Sequence, residues 1–166
     1  MSHPSMPENG VRSRDPYVFK NQEWLPEIPV QALTAALKGW DDSTNDKYLD
    51  CFHEDAILHF GGEHKGRKGI KACRDSMIHP EKGPILRSAH FFETGFVTGG
   101  GMGIDGKWEI IGVADVRYDL VNKTEAWTRA SSWCRVVKSD DQWLIEAYEV
   151  FMDPTALFQK MGELGK

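Results

Sequence analysis

A chain of 166 residues with 40% hydrophobic and 27% charged side chains has the size and balance of one globular domain. Its formal net charge of −5, with no long cluster of Lys and Arg, excludes a surface positive enough to hold nucleic-acid phosphates. No apolar run approaches the roughly 18 residues needed to cross a bilayer, and Met1 to Asn9 lacks the basic and apolar stretches of a secretory signal, so a cytoplasmic protein with no membrane partner is expected.

The first segment, residues 1–28, sets Pro4, Pro7, Pro16 and Pro26 among polar residues. It reads as an extended, partly disordered N-terminal arm, with Tyr17, Phe19, Trp24 and Leu25 available to dock it. Residues 29–166 are expected to form a single domain. From Pro29, a residue suited to a first helical turn, Val30, Leu33, Leu37 and Trp40 recur at helical spacing. Ser43 to Asp46 then offers caps for a short second helix carrying Tyr48, Leu49 and Phe52, followed by a brief strand from Ala56 to Phe60 that Gly61-Gly62 ends. A third helix fits Arg67 to Ile78, where Ile70, Cys73 and Met77 share a face and Pro80 stops propagation.

After Gly83-Pro84 the period changes to two. Strands fit Leu86 to Thr98, Lys107 to Leu120, Thr124 to Lys138 and Gln142 to Phe151, and their short connections force antiparallel neighbours. The Gly-rich link around Gly99 to Gly103 joins two strands rather than a strand and a helix, which makes it a hairpin and candidate lid rather than a phosphate cradle. A short helix, Thr155 to Met161, follows Pro154.

Alternate residues of a strand face opposite sides, so the strands can be sorted by side-chain type. Ile110, Gly112, Ala114, Val116, Tyr118 and Leu120 make an apolar even-numbered face, and Thr128, Ala130, Ser132, Cys134 and Val136 continue it. Ser88, His90, Phe92, Thr94 and Phe96 belong to the same face by parity, which sets an imidazole among aromatic rings inside the protein. Such a histidine is either a core residue satisfied by one hydrogen bond or an acid–base catalyst. The small residues Gly112, Ala114, Ala130 and Ser132 leave room for a cavity. On the outer face Trp127 and Trp133 form an apolar patch; they predict a homodimer through the outer sheet face unless Arg129 and Arg135 cover the rings. In the last strand Trp143, Ile145, Ala147, Glu149 and Phe151 alternate, which can bring Glu149 to the pocket mouth; Leu144, Tyr148 and Val150 are equally apolar, and a solvated glutamate is the other reading.

Helices packed in the hollow of a curved antiparallel meander make an α+β, cone-shaped fold that resembles the nuclear-transport-factor-2-like superfamily and in particular its SnoaL-like enzymes. The residues from Tyr48 through His53-Glu54-Asp55 to Ala56 look like that family's helix-to-strand junction, and Asp140 to Ile145 like its closing hairpin. Trp40-Asp41 at the end of the first helix and His90 are similar to the Tyr-Asp pair and histidine of scytalone dehydratase and bile-acid dehydratases. The resemblance implies that Asp41 accepts from one ring nitrogen of His90, fixing the tautomer, while the other nitrogen removes a substrate proton. Trp40 stands where those enzymes have a tyrosine, so Tyr48, Tyr118 and Ser132 are the candidate hydroxyls for substrate, with Phe60, Phe92 and Glu149 completing the expected substrate-binding wall. Phe60 occupies the position of the acidic base of steroid isomerases, which disfavours that mechanism.

Five of the six histidines, His53, His59, His64, His79 and His90, invite a metal reading but lack any His-x-His or His-Glu-x-x-His spacing, so no metal is expected. The odd number of cysteines, Cys51, Cys73 and Cys134, fits reduced packing residues rather than a disulfide framework. The expected activity is a cofactor-independent dehydration, isomerisation or cyclisation of a hydrophobic, oxygenated small molecule such as a polyketide or terpenoid intermediate. The other class is a binding or dimerisation module of the same fold that does no chemistry.

Overall fold

The computed structural model describes residues 14–99 and 106–165. The expected Gly-rich lid at residues 100–105 and the first part of the arm lie outside the described residues. The elements run α1 (Glu27–Asp41), a 3₁₀ turn (Lys47–Cys51), β1 (Phe52–His59), β2 (Glu63–Lys65), α2 (Gly66–Asp75), β3 (Ile85–Gly99), β4 (Trp108–Leu120), β5 (Glu125–Ser139), β6 (Gln142–Met152) and α3 (Thr155–Gly162). They form the α+β cone expected of the sequence: one six-stranded sheet in the order β2-β1-β6-β5-β4-β3, with helices in its hollow. The four long strands pair antiparallel, while β1 joins β6 in parallel. Among the described residues no helix is long and apolar enough to cross a membrane.

The helix α1 begins at Glu27, so Pro29 falls inside its first turn, where no intrahelical N–H is missed. Its buried stripe of Val30, Leu33, Ala36 and Leu37 faces the sheet. The second expected helix is only a 3₁₀ turn, and α2 stops at Asp75, three residues short of the expected end. Arg74 explains how these pieces are held: only 2% exposed, it reaches the carbonyls of Trp40 (3.5 Å), Asp42 (3.3 Å) and Asn45 (3.3 Å) and the carboxylate of Asp46 (2.7 Å). Its guanidinium also lies over the Tyr48 ring at 4.5 Å.

Two bulges reset the parity read from the sequence. In β3 the register shifts between Phe92 and Thr94, so Ser88, His90 and Phe92 face inward with their even partners on β4, whereas beyond Glu93 the odd residues Gly95 and Val97 take over. Phe96 therefore points outward and is 55% exposed, contrary to the continuous even face. In β6 the extra residue is Glu146: Ile145 pairs with Val136, but Tyr148 pairs with Cys134 and Val150 with Ser132. The inward set at the end of β6 is thus Tyr148, Val150 and Met152, and Glu149 lies on the outer face opposite Trp133.

The N-terminal strap, residues 14–25, lies along the free edge of β3. Main-chain bonds run from Tyr17 N–H to the His90 carbonyl (2.9 Å) and from Lys20 N–H to that of Glu93 (2.9 Å), and Asn21 exchanges two bonds with Gly95 (2.8 and 3.0 Å). Phe19 is 2% exposed and stacks on Phe92 at 4.3 Å. It occupies the space left by two cross-strand glycines: a Cβ on Gly112 would come within 3.0 Å of Phe19, and one on Gly95 within 2.7 Å of Leu25. Gly112 thus makes room for the chain's own phenylalanine rather than for a ligand. Trp24, offered by the sequence as a docking residue, is 80% exposed.

On the outer face Trp127 is not an exposed patch residue. It is 7% exposed and packs against Phe91, ring centroids 5.5 Å apart, while Arg135 covers Trp133 at 5.2 Å. The exposed apolar residues of that face are Phe96, Ile111 and Phe151.

Candidate active site

Asp41 is the last residue of α1, and its neighbour frees it from capping duty. Asp42 makes the turn: its carboxylate accepts from Thr44 N–H (3.0 Å) and Thr44 Oγ (2.5 Å) and from Asn45 Nδ2 (3.0 Å), and the two bonds from Thr44 hold its carboxyl below the usual carboxylate range. Asp41 instead turns inward and is 3% exposed. Its Oδ2 lies 2.8 Å from His90 Nδ1 and 2.5 Å from the Tyr17 hydroxyl, which donates to it; its Oδ1 accepts from Ser88 Oγ at 2.5 Å. A buried carboxylate surrounded by three donors is a satisfied anion. Because a carboxylate only accepts, Nδ1 carries a hydrogen, and it is in the neutral ring that Nε2 has the free lone pair.

Nε2 belongs to a ring that lines a narrow cavity of about 60 Å³. The wall is mainly apolar, from Leu37, Leu58, Phe52, Ile78, Val116 and Val150 among others. Of the residues expected to bind substrate, Trp40, Phe60, Tyr118 and Ser132 line it. Tyr48, Phe92 and Glu149 do not. Tyr48 is packed beneath Arg74, Phe92 is buried under Phe19, and Glu149 was moved outward by the β6 bulge.

Three side chains that the structure brings to the site lay outside the sequence-derived set. Tyr148 lines the cavity, is 4% exposed, and its hydroxyl has no hydrogen-bond partner among the described residues, with Ser132 the hydroxyl beside it. Burial pushes its phenol well above the usual tyrosine range, so it remains a donor. Tyr118, pushed up to about 12 by burial, accepts from Thr128 Oγ at 3.3 Å and also stays protonated. Ser88 was legible two residues before His90 on the same face. Tyr17 was not, since nothing in the arm's pattern sets it opposite Asp41, and Tyr148 was hidden by the bulge at Glu146.

Three other histidines are engaged locally. His53 Nδ1 accepts from Asp55 N–H (3.1 Å), His79 Nδ1 from Glu81 and Lys82 N–H (3.1 and 3.0 Å), and His64 Nε2 lies 3.0 Å from the Phe60 carbonyl. Among the described residues no group of three His, Cys, Asp or Glu side chains is placed to hold a metal.

A helix-filled cone of mostly antiparallel sheet with a carboxylate–imidazole pair at the wall of an apolar cavity defines the class. The chain belongs to the SnoaL-like domain family, whose model matches residues 30–149. Three solved structures share the architecture. ActVI-ORFA from Streptomyces coelicolor is 18% identical over 76% of this chain and 95% of that one, with a TM-score of 0.62. The hexachlorocyclohexane dehydrochlorinase LinA-type3 from Novosphingobium barchaimii is 16% identical over 76% and 84%, with a TM-score of 0.63. A putative scytalone dehydratase from Novosphingobium aromaticivorans is 12% identical over 76% and 82%, with a TM-score of 0.63. No curated protein matches the chain. At these identities the likeness is one of fold, and activity has to be argued from the site.

Proposed function

We propose that this chain is a lyase or isomerase that uses its own side chains, without a cofactor, to abstract a proton next to a carbonyl of a hydrophobic, oxygenated small molecule. The reading includes a secondary-metabolite intermediate, of polyketide or terpenoid type, as substrate. The observation that carries it is the 2.8 Å contact between His90 Nδ1 and Asp41 at the wall of the apolar cavity. In the proposed step Nε2 takes the proton, the C–H electron pair moves into the carbonyl to give an enolate, and Asp41 stabilises the imidazolium. Tyr148 and Ser132 donate hydrogen bonds to the oxygen that gains charge. In a dehydration the enolate pair expels a neighbouring hydroxyl, which leaves as water with the proton held by His90; in an isomerisation that proton returns at another carbon. General-base assistance contributes roughly 10² to 10⁴ in rate, and one positioned donor to the oxyanion about 10² to 10³.

A module that only binds would need no carboxylate on its histidine, so the Asp41 contact supports the enzymatic reading. Structures of the same fold include ones named as a dehydrochlorinase and as a putative scytalone dehydratase, so the fold is compatible with elimination chemistry. The test is incubation with a panel of hydroxylated polycyclic ketones, following loss of water by mass spectrometry. His90→Gln should abolish turnover of any ketone the wild type converts while leaving the melting temperature within a few degrees; full turnover by that variant would dispose of the assignment.

The same proposal has a cytoplasmic enzyme, consistent with the three free cysteines, and a homodimer through the outer sheet face. Phe96 pairs with Ile111 across β3 and β4, and the ion pairs Glu109–Arg135 and Asp115–Arg129 neutralise charge beside this apolar row, which suits contact with a second copy. Ile111→Lys should convert a dimer to a monomer in sedimentation; a wild-type monomer would refute it.

A further inference from the structure

The Asp41–His90 pair is gripped by a segment that lies outside the cone. Tyr17 holds both members at once: its N–H donates to the His90 carbonyl at 2.9 Å, and its hydroxyl donates to Asp41 Oδ2 at 2.5 Å, the oxygen that also accepts from His90 Nδ1. With Ser88 on Oδ1, both carboxylate oxygens are held by donors. Tyr17 reaches this geometry with φ of 66°, a backbone conformation disfavoured for any residue with a Cβ, so its neighbours must enforce it. They do so through the edge-on Phe92 ring at 5.8 Å and Lys38 Nζ at 5.5 Å over the phenol ring. Behind the pair lies a second, open groove, lined by Tyr17, Asp41 and Ser88 together with Lys38, Arg87 and Arg117. Tyr17 and Asp41 share the wall of this groove, with Asp41 only 3% exposed and its Oδ2 bonded to the phenol. Burial, reinforced by the Asp41 charge, keeps that phenol far above the ordinary tyrosine range, so it stays a donor.

We infer that Tyr17 is a positioning residue of the active site, and that the site is complete only when the N-terminal strap is docked on the edge of β3. Its role as an aid to turnover rests on His90 being the base; its hold on the pair does not. Fixing Asp41 at both oxygens fixes the imidazole, and that aims Nε2 into the apolar cavity while water is kept off the buried side of the dyad.

The test reads the His90 Nδ1–H proton of the whole chain by NMR, assigned by its loss in His90→Gln, and needs no substrate. In the wild type it should be a downfield signal protected from exchange with water. Tyr17→Phe keeps the ring on Phe92 but removes the donor and admits water from the groove, so the signal should shift and its exchange should quicken by roughly tenfold or more, the factor carried by one hydrogen bond to a charged group. Asn21→Ala removes both bonds to Gly95, away from the dyad, and should quicken exchange in the same direction by loosening the strap. An unaltered signal and exchange rate in Tyr17→Phe would reduce Tyr17 to a packing residue and overturn the inference; an unaltered rate in Asn21→Ala would overturn the dependence on docking. With any ketone that is turned over, Tyr17→Phe should lower kcat by about tenfold with KM within about twofold. Absence of turnover in the wild type would refute the proposed function alone, since the proton signal reports on the strap independently.

Discussion

Replacing Phe19 with alanine measures how far the strap belongs to the folded core. The ring is 2% exposed, stacks on Phe92 at 4.3 Å and fills the notch left by Gly95 and Gly112. Removing a phenylalanine from such a site costs about 3–5 kcal/mol, which for a chain of this size lowers the melting temperature by roughly 6–20 °C. A second substitution makes the reasoning specific. In the wild type, a Cβ on Gly112 would lie 3.0 Å from Phe19 Cζ and 3.2 Å from Leu33 Cδ2, so Gly112→Ala should cost about 1–3 kcal/mol through overpacking. Once Phe19 is alanine the tighter of those contacts is gone, and alanine in place of glycine recovers about 0.4–1 kcal/mol by restricting the unfolded chain. The two changes should therefore couple by at least about 1 kcal/mol, with the double variant more stable than the sum of the singles allows. Urea unfolding of the four proteins followed by far-ultraviolet circular dichroism supplies the cycle. A Phe19→Ala loss below about 1 kcal/mol, or strict additivity, would mean that the strap does not occupy the notch in solution.

Asp41→Asn keeps the shape but gives His90 Nδ1 and the two hydroxyls a mixed donor–acceptor group, so the imidazole loses its fixed tautomer; turnover should fall by about 10² to 10⁴ with the fold intact, as read by kcat and circular dichroism together. Glu93 is buried, which raises a carboxyl, yet its bonds from Lys20 and Arg14 outweigh this and bring it below the ordinary 4.5. Its contribution is thus present above about pH 4.5 and lost as pH falls through the lowered value, so melting temperatures of the wild type and Glu93→Gln should converge under acid and separate toward neutrality. Arg74→Met leaves the carbonyls of Trp40, Asp42 and Asn45 unpaired and should cost about 2–4 kcal/mol by urea unfolding with an unchanged slope.

Most of the architecture could be read from the chain because its periods are long and unambiguous. The stripe from Val30 to Trp40 and the four two-period runs located α1 and β3 to β6 to within a residue or two, and parity on β4 and β5 sorted the inner face correctly. Parity failed wherever an extra residue entered a strand. One inserted residue exchanges the faces of all that follow, and neither Glu93 nor Glu146 carries a glycine or proline to announce the bulge. Those two positions account for the misplacing of Phe96 and Glu149 and for the omission of Tyr148. Asp41 and His90 were paired through resemblance to a family; the residues alone left both open, since an aspartate at a helix end is as often a cap. In the structure Asp42 takes the bonds of the following turn, and Asp41 points inward. Tyr17 was invisible because its partners lie far along the chain and its segment has no period to read.

The strap's bonds join residues such as Asn21 and Gly95, 74 positions apart. The strap consequently has no surface to bond until β3 has formed, so its docking depends on contacts made far along the chain. The contacts that seal the open edge of β3 against stray strands are the same ones that anchor the tyrosine beside the dyad. Protection of the sheet edge and the hold on the Asp41–His90 pair are thereby tied to the same contacts, and a chain nicked so as to lose the strap would forfeit both together.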